Sequence, residues 1–233
     1  MIFSSFFAAV GQVDDPRFRR VLFLGVALTI ALLVAVTAGF VWWINWAAGD
    51  QVFLPIIGEV RWLNDLLSWG SVFLMFFLSI VLMVPVASAI TSMFLEDVAQ
   101  AVEDRHYPDL PAAMRVPFWE ALRDTVNFLG ILIGANLLAL IVYALVFWIP
   151  FGPFLVFWAL NGFLLGREYF TLAAMRRVGR ARAKQLRVQH RSKIWMAGIL
   201  MAMPLSIPLV NLVIPILGAA TFTHLYHRLT IRG

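Results

Sequence analysis

Two arginines at the head of a long apolar run are the side chains in this sequence best suited to chemistry with an anion. Asp15-Pro16-Arg17-Phe18-Arg19-Arg20 has the marks of a helix start, with Asp15 as N-cap and Pro16 in the first turn. The first turn of a helix presents unpaired backbone N–H groups and a partial positive charge. Arg19 and Arg20 add forked donors whose geometry matches sulfate or phosphate. The competing reading is a surface anchor whose arginines touch lipid phosphates.

A second basic cluster lies at 167–193, where nine Lys or Arg face the single acid Glu168. Taken as one helix, Arg176, Arg180, Lys184 and Arg191 share a face, with Arg177 and Arg187 beside it. Such a face serves as an anion funnel. It serves equally to hold anionic lipid, at about 1 kcal/mol per basic residue near the surface. Proton coupling through Glu103, His106, Glu120 or Glu168 is chemically conceivable, with no pattern in support. Asn127, Asn136, Asn161, Asn211, Thr221, His224 and His227 are polar residues in apolar surroundings. They either bond across helices or line an ion route, for which Asn161, Glu168, Asn211 and Thr221 are the candidates. His224 and His227 stand three apart with no carboxylate near them in sequence, a poor metal site. Neither a metal nor another cofactor is expected. No nucleophile elbow, His-Glu-x-x-His pattern or P-loop is present, so the chain is not read as an enzyme.

The elements that hold these residues follow from composition. Of 233 residues 62% are hydrophobic and 13% charged, against about 45–50% and about 25% in soluble domains. This is expected to be a single membrane domain over residues 1–233. Without cysteine it has no disulfides and no thiolate chemistry. The pI near 10.2 is explained by cytoplasmic basic loops rather than by nucleic acid, which is not an expected partner. Met1–Val13 reads as an interfacial helix, with Phe3, Phe6, Phe7 and Val10 at helical spacing. The apolar run at 21–48 is too long for a cleavable signal and is taken as a retained span that ends in Trp42, Trp43 and Trp46. The run at 66–95 is a second full span, kinked at Pro85.

The remaining apolar runs are broken. Pro150-Phe151-Gly152-Pro153 cuts the run at 125–166, and Pro204, Pro208 and Pro215 cut the run at 194–227. Their short arms fall below the roughly 20 residues that a crossing helix needs. Gly130/Gly134 and Gly162/Gly166 have the four-residue spacing that lets backbones approach, here between the two arms of the first hairpin. The excess of Lys and Arg places the N-terminus, the central loop and the basic segment in the cytoplasm. The expected fold is an all-α integral membrane protein. It has two long transmembrane helices, two Pro-broken helical hairpins and a basic cytoplasmic helix at 167–193. Paired spans and re-entrant hairpins both satisfy the charges; the short arms favour half-penetration.

Ile207-Pro208-Leu209-Val210-Asn211, then Pro215, then Gly218-Ala219-Ala220-Thr221 resembles the C-terminal signature of the bacterial CysZ sulfate permeases. Glu168-Tyr169 and the acidic stretch around Glu96, Asp97 and Glu103 also resemble that family. The same domain occurs in eukaryotic etoposide-induced membrane proteins. The resemblance implies an anion site in which Arg19 and Arg20 match the family's arginines. Arg17 and Phe18 stand where the family has Gly and Leu. It also implies half-penetrating hairpins, homo-oligomers with antiparallel protomers, and a place in the bacterial inner membrane.

The expected function is therefore a channel or permease that supplies sulfate, or a similar oxyanion, for cysteine biosynthesis. Bringing a dianion in against about 100 mV costs roughly 4.6 kcal/mol, so a gradient, metabolic withdrawal or proton coupling must drive it. A non-transporting membrane scaffold or lipid-interacting protein is the alternative.

Overall fold

The computed structural model describes residues 1–48, 53–54, 58–59, 94–113 and 118–231. The expected span at 66–95 with Pro85, apart from Phe94 and Leu95, and most of the loop before it lie outside the described residues. The chain forms two compact units, Met1–Leu22 with Ser92–Gly233, and Phe23–Thr91.

The described residues are helical, apart from loops and turns and a two-residue antiparallel pairing of β1 (Phe53–Leu54) with β2 (Gly58–Glu59). The helices are α1 (Ile2–Val10), α2 (Pro16–Ala48), α3 (Leu95–His106), α4 (Phe118–Val146), α5 (Gly152–Gln189), α6 (Arg191–Ala202), α7 (Pro208–Asn211) and α8 (Ile214–Ile231). Among the described residues two stretches are long and apolar enough to cross a membrane, Pro16–Phe40 and Val126–Val146. The second of these is only 6% buried. Leu137, Leu138, Leu140, Ile141 and Leu145 stand exposed along it. An exposed apolar surface of that extent belongs in lipid rather than in water.

The larger unit is built around α8. Helices α1, α3 and α5 pack against it, and α6 packs along α5. Its core joins Phe170, Ala173 and Ala174 of α5 to Ala219, Phe222, Leu225 and Tyr226 of α8. Val98 and Val102 of α3 complete that core. In α1 the small residues Ser5 and Ala9 are buried, while Phe3 and Phe7 stand exposed.

The proline-marked breaks are where the sequence placed them. Helix α4 ends at Val146, Phe151 turns the chain at φ 63°, and α5 starts at Gly152. Helix α6 ends at Ala202, passes through a 3₁₀ turn (Met203–Ser206), an extended Ile207 and the single turn α7, and the chain re-enters helix at Ile214.

Two local expectations are corrected. The segment 167–193 is not one straight helix. Gly179 sits at φ 71°, ψ 173° inside α5, and the chain leaves helix again at His190. Only glycine adopts that backbone without strain. The segment after Gly179 folds back, so that Arg187 Nη1 donates to Thr171 Oγ1 at 2.9 Å. Sixteen residues of straight helix would separate these two by about 24 Å. The glycine pairs also differ from expectation. Gly162 and Gly166 do not meet Gly130 and Gly134, whose surroundings are open to 4 Å. They press against α6 instead. A methyl on Gly198 would fall 1.9 Å from the Gly162 carbonyl oxygen, and one on Gly166 would fall 2.7 Å from the Ile194 carbonyl oxygen.

Candidate anion-handling site

The head of α2 divides its four candidate residues among three environments. The Asp15 carboxylate caps the helix by accepting the Arg17 backbone N–H at 2.9 Å, and its other oxygen accepts Gln12 Nε2 at 2.9 Å. One first-turn amide is thus already paired to a carboxylate. The Arg17 guanidinium is ion-paired to Asp104 of α3. That hydrogen bond holds the Asp104 carboxyl below the usual carboxylate range. Phe18 is 2% exposed and belongs to the core. Its side chain seats the helix head and does not face solvent. Arg19 and Arg20 are exposed, and among the described residues neither guanidinium has a hydrogen bond or ion pair.

A different arginine pair lies buried in the same unit, against the neighbour of Asp104 on α3. Glu103 of α3 is 2% exposed and receives Arg177 in a forked pair, Nε to Oε1 at 2.8 Å and Nη2 to Oε2 at 2.6 Å. Arg176 Nη1 stands 3.1 Å from Oε2, without an aligned hydrogen bond. Its Nη2 donates to Gln100 Oε1 at 2.6 Å. His227 Nε2 of α8 lies 3.1 Å from Oε1. Burial acts to raise the Glu103 carboxyl. The bonds from His227 and Arg177 and the charges of Arg176 and Arg177 outweigh it and hold the group at about 2. A buried carboxylate satisfied on both oxygens is a structural clamp. It ties α3, α5 and α8 together.

This clamp overturns one inference from spacing. A carboxylate does stand beside His227, contributed from far away in sequence. His224 is also engaged, with Nδ1 3.2 Å from the Tyr107 hydroxyl and its ring 4.7 Å from that of His106. Burial lowers the His106 pKa. Among the described residues no three His, Asp or Glu side chains converge as metal ligands do.

The route candidates are dispersed. Asn161 donates to the Phe157 carbonyl of its own helix at 2.8 Å. Asn211 is half-buried at the end of α7 and has a partner. Thr221 is fully buried in α8, and its Oγ1 has no hydrogen-bond partner among the described residues. Glu168 is the one that lies among cations. It lines a hollow of about 890 Å³ with Arg167, Arg180, Lys184 and Arg187. The fold-back at Gly179 creates this hollow, and the straight-helix reading missed it. The signal was present as a lone glycine in Arg177-Val178-Gly179-Arg180. The burial of Glu103, though not its partners, also had a signal in the sequence. Leu95, Val98, Ala99, Val102 and Glu103 form one i, i+3, i+4 stripe, so the acid sits on the apolar face.

A family model described as Sulfate transporter CysZ/Etoposide-induced protein 2.4 matches residues 5–215. No curated protein matches the chain.

Proposed function

The chain belongs to the Sulfate transporter CysZ/Etoposide-induced protein 2.4 family, and from that premise we propose that it is a membrane channel or permease for sulfate or a similar tetrahedral oxyanion. The observation that carries this reading is the contrast at the head of α2. Arg17 is committed to Asp104 and Phe18 to the core, while Arg19 and Arg20 face outward with no partner among the described residues. Phe18 anchors the helix backbone that carries both arginines, and their guanidiniums offer forked donors to an oxyanion. The nearby amide capped by Asp15 contributes less than an open helix end would, so the arginines supply most of the binding.

In this reading the broken hairpins line the route. The apolar part of α5 from Gly152 to Gly166 reaches about 22 Å and α6 about 18 Å, short of the roughly 30 Å core, which favours half-penetration by these two arms, whereas α4 is itself long enough to cross. Hairpins that enter from one side need the full spans or a second protomer to complete a pore, which supports a homo-oligomer, with antiparallel protomers as the family resemblance implies. The remaining assignments are the bacterial inner membrane, a cytoplasmic N-terminus and basic segment, supply of sulfate to cysteine synthesis, and transport without bond chemistry. Radiolabelled sulfate uptake into proteoliposomes tests the reading. Flux above empty vesicles that falls sharply in Arg19→Ala/Arg20→Ala supports it. Absence of flux, with sulfate binding unchanged in the double variant, overturns it and leaves a scaffold or lipid-interacting protein.

A further inference from the structure

We propose that the fold-back at Gly179 forms a second anion site, separate from Arg19 and Arg20, that holds a tetrahedral oxyanion of the phosphate class. The hollow of about 890 Å³ is walled on one side by Arg167, Glu168 and Thr171, which precede Gly179. On the other side stand Arg180, Lys184 and Arg187, which follow it. Four cations meet one carboxylate there, so the hollow carries a positive surplus whatever pairs form within it. The Arg187–Thr171 bond fixes one wall against the other.

The second observation is a neighbouring hollow of about 600 Å³. It shares Arg167 and Arg187 with the first, adds Arg191 and Ser192, and continues over Phe163, Val188, Ile194 and Trp195. Along this course aromatic and aliphatic groups join the guanidiniums of the lining. Val126 and Phe128 of the membrane-length helix α4 flank the basic end. A charged hollow opening onto one that mixes arginines with an apolar wall matches a molecule with an oxyanion head and a hydrocarbon body. Basic pockets between membrane helices hold anionic lipid headgroups in this way. A free sulfate or phosphate has the same head chemistry and would occupy the basic end alone. The site does not depend on the transport reading, since a protein that moves no sulfate can still bind here.

The test uses the full chain in detergent. Binding of short-chain phosphatidylglycerol is measured by native mass spectrometry against phosphatidylcholine, and binding of sodium sulfate and of inorganic phosphate is measured separately. The variants are Arg180→Gln/Lys184→Gln/Arg187→Gln, Lys184→Gln alone, and Arg182→Gln, an exposed control bonded only to Gln185. Phosphatidylglycerol retention is expected to weaken about a hundredfold in the triple variant and about fivefold in Lys184→Gln. No change is expected in Arg182→Gln. Loss that free sulfate and phosphate cannot mimic or compete away identifies the lipid headgroup. Loss confined to free sulfate or phosphate identifies a soluble oxyanion at the same site. Should the triple variant fail to fold, Lys184→Gln decides alone. Binding of all three probes unchanged in Lys184→Gln, or weakened equally in Arg182→Gln, overturns the proposal.

Discussion

Two adjacent arginine pairs in one structural unit have opposite fates. Arg176–Arg177 is buried against Glu103, with Arg177 also donating to the Pro111 carbonyl. Arg19–Arg20 is exposed and has no partner among the described residues. The residue types are identical, and the difference lies in what the opposing helix presents. Across from Arg176–Arg177, α3 offers a carboxylate on its apolar stripe. At the head of α2, Asp15 serves as the cap and Asp104 is paired with Arg17, and no acid is bonded to Arg19 or Arg20 among the described residues. A guanidinium that no acid meets is available to a ligand; one that meets a buried acid is part of the fold.

Breaking the clamp is the harshest test of that division. Glu103→Ala strands Arg176 and Arg177 in a buried site and is expected to destabilise the protein by about 3–5 kcal/mol, read as a large drop in detergent thermal stability. Acid titration probes the same group without mutation. Its folded-state carboxyl stands at about 2, below its ordinary 4.5. The clamp's contribution, on the order of 3 kcal/mol, is therefore fully present above about pH 4.5 and is lost as pH falls toward 2. Wild type should lose stability through that window, and Glu103→Gln should lose much less over it.

The two glycine pairs sharpen the comparison at the level of packing. Gly198→Ala places a methyl against the Gly162 carbonyl and should cost about 1–3 kcal/mol. Gly134→Ala, in open surroundings, should be neutral or slightly stabilising by helix propensity. Equal effects at both positions would contradict the packing of α5 on α6. The smallest effect is expected at Arg17→Gln. Its ion pair with Asp104 is exposed on both sides, and such pairs contribute little.

The breaks at Pro150–Pro153 and Pro204–Pro208 were legible because proline acts locally. The Asp15 cap before Pro16 was legible for the same reason. Long-range pairings were not. Helical spacing alone put Arg176 with Arg180 and Lys184, whereas Gly179 separates them and α3 captures Arg176. The glycine spacings correctly marked close approach at Gly162 and Gly166, but nothing in their pattern named α6 as the partner. The environment of His227 depends on Glu103, 124 residues away.

The most direct measurement is sulfate uptake into proteoliposomes by wild type, Arg19→Ala/Arg20→Ala and Arg182→Gln, with thermal stability recorded for each. The account predicts uptake at least about tenfold lower in the double variant, the loss of one or more charge-assisted bonds, at unchanged stability and with Arg182→Gln like wild type. Wild-type uptake that persists undiminished in the double variant would contradict it.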